Sequence, residues 1–441
     1  MSTCRGWIGL GIMSLLVAAS AGGATPPDGP LTLDKAIEAA RAANVRLPVA
    51  ALDVQIDEQT RLEAAAVQRV QLALAGDFVY APPNGYDPVV TNAGEERLQL
   101  SAAKLLYDGG AASAGVRQAA AQREVAAARY RLAVRDVDLE VRVRFSELIA
   151  ADREIEARTE GLERLRGYES LLESRQRAGQ AVAGDLLRTR VEVTSAQADL
   201  IAAEARRDGA RMALNQVMGR DPATLVAPAP LPPPLPVAAA SPSQPQSVPE
   251  VAAARHQVEA ASASLDIARA ERKPHLGLLA DAGLWGSDTS HAVPPDFVAA
   301  HPGATFGDRL RRDLGYSMSV AISWPLTDSG GIRARIARAE LAVKQAQQSE
   351  RATESEAAFE LDRARQAMGN AYRQYRLLAG ATPAARDAYL EAESRYRGGA
   401  ASSLEVLDAF AKSIDTAVRA ADAELAYRAA EALALRWGGQ P

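Results

Sequence analysis

Ser319–Arg335 reads SVAISWPLTDSGGIRAR, and its reading decides the fold. From Leu314 onward, Leu314, Tyr316, Met318, Val320, Ile322 and Trp324 alternate with Gly315, Ser317, Ser319, Ala321 and Ser323. Period two marks a strand with two unlike faces, one large and apolar, the other small and polar. Pro325 then removes a backbone donor, Gly330-Gly331 turns the chain, and an alanine-rich helical run follows. An echo lies about 220 residues upstream, where Leu98–Gly115 reads LQLSAAKLLYDGGAASAG. Two strand-to-helix hinges at this separation predict an internal duplication.

Working outward, each hinge closes a strand pair and opens a long helical hairpin. In the first half, Leu31–Ala36 opens a helix with Thr32 as its cap, running to about Arg69 and disturbed at Pro48. Strands follow at 70–80 and 96–107, joined by the turn-rich loop Ala81–Gly94. Residues 110–178 then form one helix, on the order of 100 Å at about 1.5 Å per residue. Its apolar seam, Tyr130, Val134, Val137, Val141, Leu148, Ile155, Leu162, Leu165 and Leu172, has coiled-coil spacing. Gly179 and Gly184 break it, and a returning helix spans 185–219, with Asp185 suited to its N-cap.

The second half repeats the plan after a Pro-rich connector at 222–249, too rich in proline for helix or central strand. Strands are expected at 274–285 and 314–326, separated by a longer loop, Gly286–Asp313. Helices follow at 331–397 and 400–437, broken by Gly398-Gly399. Gly109-Gly110 is paired with Gly330-Gly331, Gly179 with Gly399, Asp185 with Glu405 and Leu187 with Leu407. The first of these pairs is offset by 221 and the rest by 220, one register shift. The expected organisation is a signal peptide at 1–24, a first repeat at 25–221, the connector, and a second repeat at 250–441.

Composition narrows the class. Aromatics make up 5% of the 441 residues, too few to fill a large conventional core, whereas Ala, Leu, Glu and Arg suit long, closely packed helices. The net charge of −5 is spread along helix faces, and no basic block points to nucleic acid. Met1–Ala24 has one arginine, an apolar run and small residues at its end, the pattern of a secretory signal. The only cysteine, Cys4, lies within it, so the mature chain is expected to lack disulfides, thiol chemistry and a cysteine-borne lipid anchor. His256, His275, His291 and His301 lack metal-ligand spacing, and no nucleophile motif or cofactor signature stands out, which argues against an enzyme.

Four strands of membrane-spanning length cannot close around a channel alone. In lipid every backbone polar group must be bonded, and natural barrels start at about eight strands. Pooling strands in a cyclic assembly removes every free edge. Trp285, Tyr316 and Trp324 lie on these strands, as an interfacial aromatic belt requires. The competing architectures are a soluble helical domain carrying two hairpins and a periplasmic adaptor or coiled-coil scaffold. Adaptors usually carry one helical hairpin, and this chain has two.

The ordered duplication, the opening LTLDKAIEAARAA (Leu31–Ala43), the two hinges and the two glycine breaks RAGQAVAGDLL (Arg177–Leu187) and RGGAASSLEVLDA (Arg397–Ala409) resemble the TolC family of bacterial outer-membrane efflux proteins. The resemblance covers nearly the whole mature chain. It implies a mainly α fold with a small β part: a homotrimer whose four strands per chain build one twelve-stranded transmembrane barrel, above a periplasmic α-barrel of long antiparallel hairpins. It implies a passive exit duct, with no cofactor, embedded in outer-membrane lipid. Its partners would be a periplasmic adaptor (membrane fusion protein) and an inner-membrane transporter of RND or ABC type, with no role for nucleic acid. By motif position, Gly179, Gln180, Gly399 and Ala400 match adaptor-contact tip turns. Tyr396 and Asp185 match a contact that holds the aperture closed, and Glu405 and Asp408 match acidic residues lining the constriction. Gly109, Gly110, Gly330 and Gly331 match the strand-to-helix hinges. The family's tip arginine is replaced by Ala401, with Arg397 a candidate substitute. Trp324 and Pro325 are expected at the periplasmic edge of the bilayer.

Overall fold

The computed structural model describes residues 29–79, 94–236, 248–287 and 291–438. The expected signal peptide with Cys4, most of the loop at 81–94, Tyr80 and part of the connector lie outside the described residues. The chain opens with α1 (Leu33–Ala43) and α2 (Arg46–Ala66). Thr32 caps α1, its Oγ1 accepting from the Lys35 N–H at 3.4 Å. The expected single helix is thus two, and the break falls at Asn44 rather than at Pro48. Asn44 Oδ1 accepts the Arg46 N–H at 2.8 Å. Pro48 sits in the first turn of α2, where its missing donor would have had no helical partner.

Strands β1 (Gln71–Val79), β2 (Glu95–Tyr107), β3 (His275–Ser287) and β4 (Leu314–Ser323) form one antiparallel sheet in the order β1-β2-β3-β4. The expected fourth strand ran to 326; it stops at Ser323 because Pro325 cannot donate to a ladder. Cross-strand pairing puts Ala73, Ser101, Asp281 and Ser317 in one row, and Leu72, Ala102, Ala280 and Met318 in the next. One face therefore carries Asp77, Arg97, Gln99, Asp281 and the serines of β4. The other carries Leu74, Leu98, Leu100, Tyr316, Val320 and Ile322, all exposed or half-exposed in the single chain. Trp324 follows on the apolar side, but Trp285 does not: it pairs with Arg97 on the polar face, and its ring covers Gly315, where a Cβ would lie 2.8 Å from it. The aromatic belt expected there loses Trp285.

The loop between β3 and β4 is partly helical, with α6 (Pro295–Ala300) and α7 (Phe306–Asp313). A capping box of Thr305 and Asp308 starts α7. Buried Arg309 ties the loop to the sheet through Glu96 of β2 (2.8 Å) and also pairs with Asp313 at the end of its own helix (3.1 Å).

Two long hairpins carry the rest: α3 (Ala111–Arg177) with α4 (Ala183–Val217), and α8 (Gly331–Arg397) with α9 (Ser403–Gly438). Between them in the chain lies α5 (Pro249–Ala270), which packs on both α3 and α8. The seam of α3 splits into two cores. Val137, Val141, Phe145 and Leu148 pack with α1 and with Leu214 of α4. Leu162, Leu165, Tyr168 and Leu172 pack with residues of α4, α8 and α9, so both hairpins share one core at their far end. The described part of the connector, residues 222–236, forms neither helix nor ladder strand, and it is pinned: Leu31 bridges Pro228, and Tyr427 Oη bonds the backbone of Leu235. Among the described residues no helix is long and apolar enough to cross a membrane.

Candidate functional site

Two places carry the features expected to matter, the hinges at the foot of the sheet and the tips of the hairpins. At the first hinge Gly109 and Gly110 both have positive φ, +71° and +96°. At the second the left-handed pair is Ser329 and Gly330, φ +55° and +94°, and Gly331 is simply the first residue of α8. The hinge assigned to Gly330-Gly331 is thus shifted by one residue. The reason is an aspartate. Asp108 accepts the N–H groups of Gly110 (2.9 Å) and Ala112, and Asp328 accepts those of Gly330 (3.2 Å) and Ile332. Each carboxylate bonds the free donors at a helix N-terminus, where negative charge is also favoured. Asp108 and Asp328 are 220 apart, so the register shift inferred from the glycines disappears. A left-handed serine costs about 1 kcal/mol more than glycine there. The two bonds to Asp328 hold it.

At the far end both breaks are the same turn. Gly179, φ +72°, donates to the Gln176 carbonyl (2.9 Å), and Gln180 to that of Arg175 (2.8 Å). Gly399, φ +74°, donates to Tyr396 (3.0 Å), and Ala400 to Arg395 (2.8 Å). These are Schellman closures, which satisfy the last carbonyls of α3 and α8 and need a residue with no Cβ penalty at the turn. All four turn residues, Gly179, Gln180, Gly399 and Ala400, are exposed.

Asp185 does not cap α4. Val182 holds the N-cap position and makes no side-chain bond, leaving Asp185 in the first turn, half-buried. Glu405, its counterpart, closes a capping box: Ser402 Oγ accepts the Glu405 N–H (3.3 Å), and Glu405 Oε1 accepts the Ser402 N–H (3.4 Å). Glu405 also lies 3.8 Å from Arg395. Asp408 is exposed and paired with Lys412 one turn on, at 2.7 Å.

Tyr396 is buried. Its ring meets Tyr168 edge-on, with centroids 5.4 Å apart, and Arg175 lies over it at 5.3 Å. Burial raises its phenol above the ordinary value; Asp185 adds to the rise, and Arg175 opposes it. Asp185 is therefore near enough to act on Tyr396 electrostatically, and among the described residues no hydrogen bond joins them. The cation at the tip is Arg175. It donates to the carbonyls of Tyr396 (2.8 Å) and Arg397, stitching the end of α3 to the end of α8. Arg397 does not take this role, because it turns back onto Glu393 at 2.6 Å. Sequence reading passed over Arg175, whose partners lie 221 and 222 residues away. It also passed over the Ser402–Glu405 box, whose S-x-x-E signature was in plain view.

The model of the family described as outer membrane efflux protein matches residues 85–220 and 244–439, more than half of the chain. The chain belongs to this family. Over 180 residues it is 31% identical to protein CyaE of Bordetella pertussis, covering 39% of this chain and 38% of that one. The match therefore spans well under half of the curated relative. Solved outer-membrane channels share the fold across nearly their full length. CusC superposes with a TM-score of 0.80 at 19% identity, covering 93% of this chain and 92% of that one. VceC of Vibrio cholerae does so at 0.77 and 19%, covering 92% and 96%. The open state of the MtrE channel of Neisseria gonorrhoeae does so at 0.75 and 19%, covering 92% and 89%. Family and fold are those of outer-membrane channels, with long helical hairpins below a strand-built membrane segment. The protein resides in the outer membrane.

Proposed function

We propose that this chain is the exit duct of a tripartite exporter, assembled as a homotrimer and gated at its hairpin tips. The observation that carries the reading is the sheet. It has an apolar face and a polar face, and within the chain β1 and β4 are open edges. Exposed edges and an exposed apolar face are tolerable only in a closed barrel with lipid outside and lumen inside. Below it, about 100 Å of helix gives the reach of a periplasmic tunnel. An inner-membrane transporter of RND or ABC type would deliver substrate through an adaptor seated on the Gly179-Gln180 and Gly399-Ala400 turns. Transport energy would come from that partner.

Gating falls to the tip. Arg175, lying over Tyr396 and bonded to the end of α8, holds the two hairpins together in each chain, with Asp185 close by. Glu405 and Asp408, repeated three times around the axis, form rings that favour cations. Lys412 offsets part of the Asp408 charge and Arg395 part of that of Glu405, so the two rings share the selectivity. Planar-bilayer conductance of the purified protein tests this, with a Glu405→Ala, Asp408→Ala double variant beside the parent. Loss of cation preference or a larger opening is expected; an unchanged current–voltage curve removes the gate from these residues. Recovery of the parent as a soluble periplasmic monomer would overturn the duct itself.

A further inference from the structure

The apolar side of the sheet ends in a helix. On that side β4 runs upward from Ile322 through Val320, Met318 and Tyr316 to Leu314, with Trp324 just below it. From Trp324 to Leu314 is about 34 Å of strand, or about 25 Å of height at a barrel tilt of about 40°, the thickness of an outer-membrane apolar band. Leu314 pairs with Leu284, and Leu284 with Leu98. In the next row on the same side Glu96 pairs with Gly286, so leucines give way to a carboxylate. The leucine row therefore stands at the upper edge of the hydrocarbon layer, where lipid headgroups begin.

Helix α7 lies at this level. It ends directly before β4 and leans back over β3 and β2, away from the open edge: Arg309 reaches Glu96 of β2, and a Cβ on Gly286 of β3 would lie 3.0 Å from the Asp313 carboxylate. Phe306 and Leu310, one turn apart, carry the exposed apolar stripe of β4 upward; they are 58% and 45% exposed, and Leu314 is 62% exposed. Between helix and sheet opens a cavity of about 210 Å³, with Leu98, Leu284, Phe306 and Leu310 on its apolar side. The arginines of α7 differ in how far they are committed. Arg309 is buried between Glu96 and Asp313, and Arg312 donates to Asp313 at 2.7 Å. Arg311 has 86% of its side chain exposed and lies 3.9 Å from Asp308, which already accepts the Thr305 N–H (2.9 Å) and hydroxyl (2.7 Å). A cation with charge to spare thus follows Leu310 at headgroup height.

We propose that α7 seats a phosphate-bearing lipid of the outer leaflet, with the phosphate on Arg311 and the upper part of an acyl chain on Phe306, Leu310 and the cavity beneath them. Guanidinium suits a phosphate because its planar fork donates two bonds to neighbouring oxygens. Apolar side chains in the acyl layer beside a cation at the phosphates are what an interfacial helix requires. The capping box at Thr305 and the buried Arg309 make α7 a fixed element, so it sets the height of the barrel in the membrane. Sinking the barrel draws Arg311 into hydrocarbon, and raising it brings Phe306 and Leu310 into water; both cost free energy.

This rests on the duct proposed above, since the barrel sets the level. Short-chain phosphatidylglycerol and phosphatidylcholine, titrated separately into the detergent-solubilised protein and counted by native mass spectrometry, test it. The parent is expected to hold phosphatidylglycerol more tightly. One arginine at an anionic lipid surface is worth about fivefold in affinity, so Arg311→Gln should weaken phosphatidylglycerol by about that factor. Phe306→Ser with Leu310→Ser should weaken both lipids. Arg363→Gln removes an exposed arginine about 50 Å down α8 from the hinge and should change neither. Phosphatidylglycerol should raise the melting temperature of the parent, and inorganic phosphate should not. An Arg311→Gln variant of parental mass and melting temperature that binds phosphatidylglycerol as the parent does overturns the phosphate contact. Unchanged binding by the double-serine variant overturns the acyl seat, and equal stabilisation by inorganic phosphate overturns the lipid assignment; all three leave the duct standing. A protein that stays soluble without detergent overturns the duct, and the anchor with it.

Discussion

The two hairpin tips have one backbone and two sets of side-chain fastenings. Both end a 67-residue helix in a Schellman turn around a left-handed glycine. On the α9 side Ser402 and Glu405 cap the returning helix, and Arg395 bonds the Ala400 carbonyl of its own turn at 3.2 Å. On the α4 side Val182 provides no cap, and Arg175 leaves its own turn to bond the end of α8. The second tip is closed on itself, whereas the first is fastened to its neighbour. A duplicated turn has thus become one element closed on itself and one tethered across to the other hairpin.

The largest expected effect breaks this comparison most directly. Arg175→Ala removes two charge-assisted bonds to the end of α8 and a cation over Tyr396, about 2 kcal/mol at a half-exposed site. Single-channel recordings are expected to show longer and larger openings for Arg175→Ala, and little change for Arg395→Ala. Equal behaviour of the two would mean the tips are functionally alike. Asp108→Ala and Asp328→Ala each remove a helix cap, about 1–2 kcal/mol, with the larger loss at Asp328, where the left-handed residue is a serine. Thermal unfolding of the detergent-solubilised protein would rank them, and the opposite order would remove Ser329 as a point of strain. Val182→Ser supplies the missing cap and should raise stability by about 0.5–1 kcal/mol while Ser402→Ala lowers it by a similar amount. Urea unfolding read at the tip would show whether the pair moves in opposite directions.

The last effect is silent at neutral pH: a pH dependence confined to alkaline conditions. Burial pushes the Tyr389 phenol up to about 12, with Glu393 helping and Arg164 and Arg397 opposing. The unfolded value is about 10. The folded tip therefore holds this proton more tightly, so its contribution is intact below pH about 10 and is lost as pH rises towards 12. Tyr389→Phe should flatten stability over that interval, seen by circular dichroism against pH.

Strands were legible wherever one face is apolar and the other small, as along Leu314–Trp324. The hinges were legible as glycine pairs, but the glycines misled by one residue, because the aspartates set the geometry and Ser329 takes a glycine's conformation. Phe145 and Tyr168 fit the three-and-four spacing of the α3 seam and were overlooked because the seam was traced through aliphatics and Tyr130. Asp185 looked like a cap by composition; α4 begins two residues before it, at Ala183, and puts Val182 at the cap. Arg175 could not be found by pattern. Its partners are carbonyls, which every residue has, and only the folded hairpins bring them within reach.

The equal length of α3 and α8 has a consequence for anyone who would alter the reach of this protein. The two helices act as matched struts, both 67 residues from hinge to turn. Removing one heptad from a single strut would leave its tip about 10 Å short of the other. Arg175 could not span that gap, and three such mismatched chains would present a notched rim in place of a level one. Any change of length has to be made in both struts, and in the two helices that return from them, by the same number of residues.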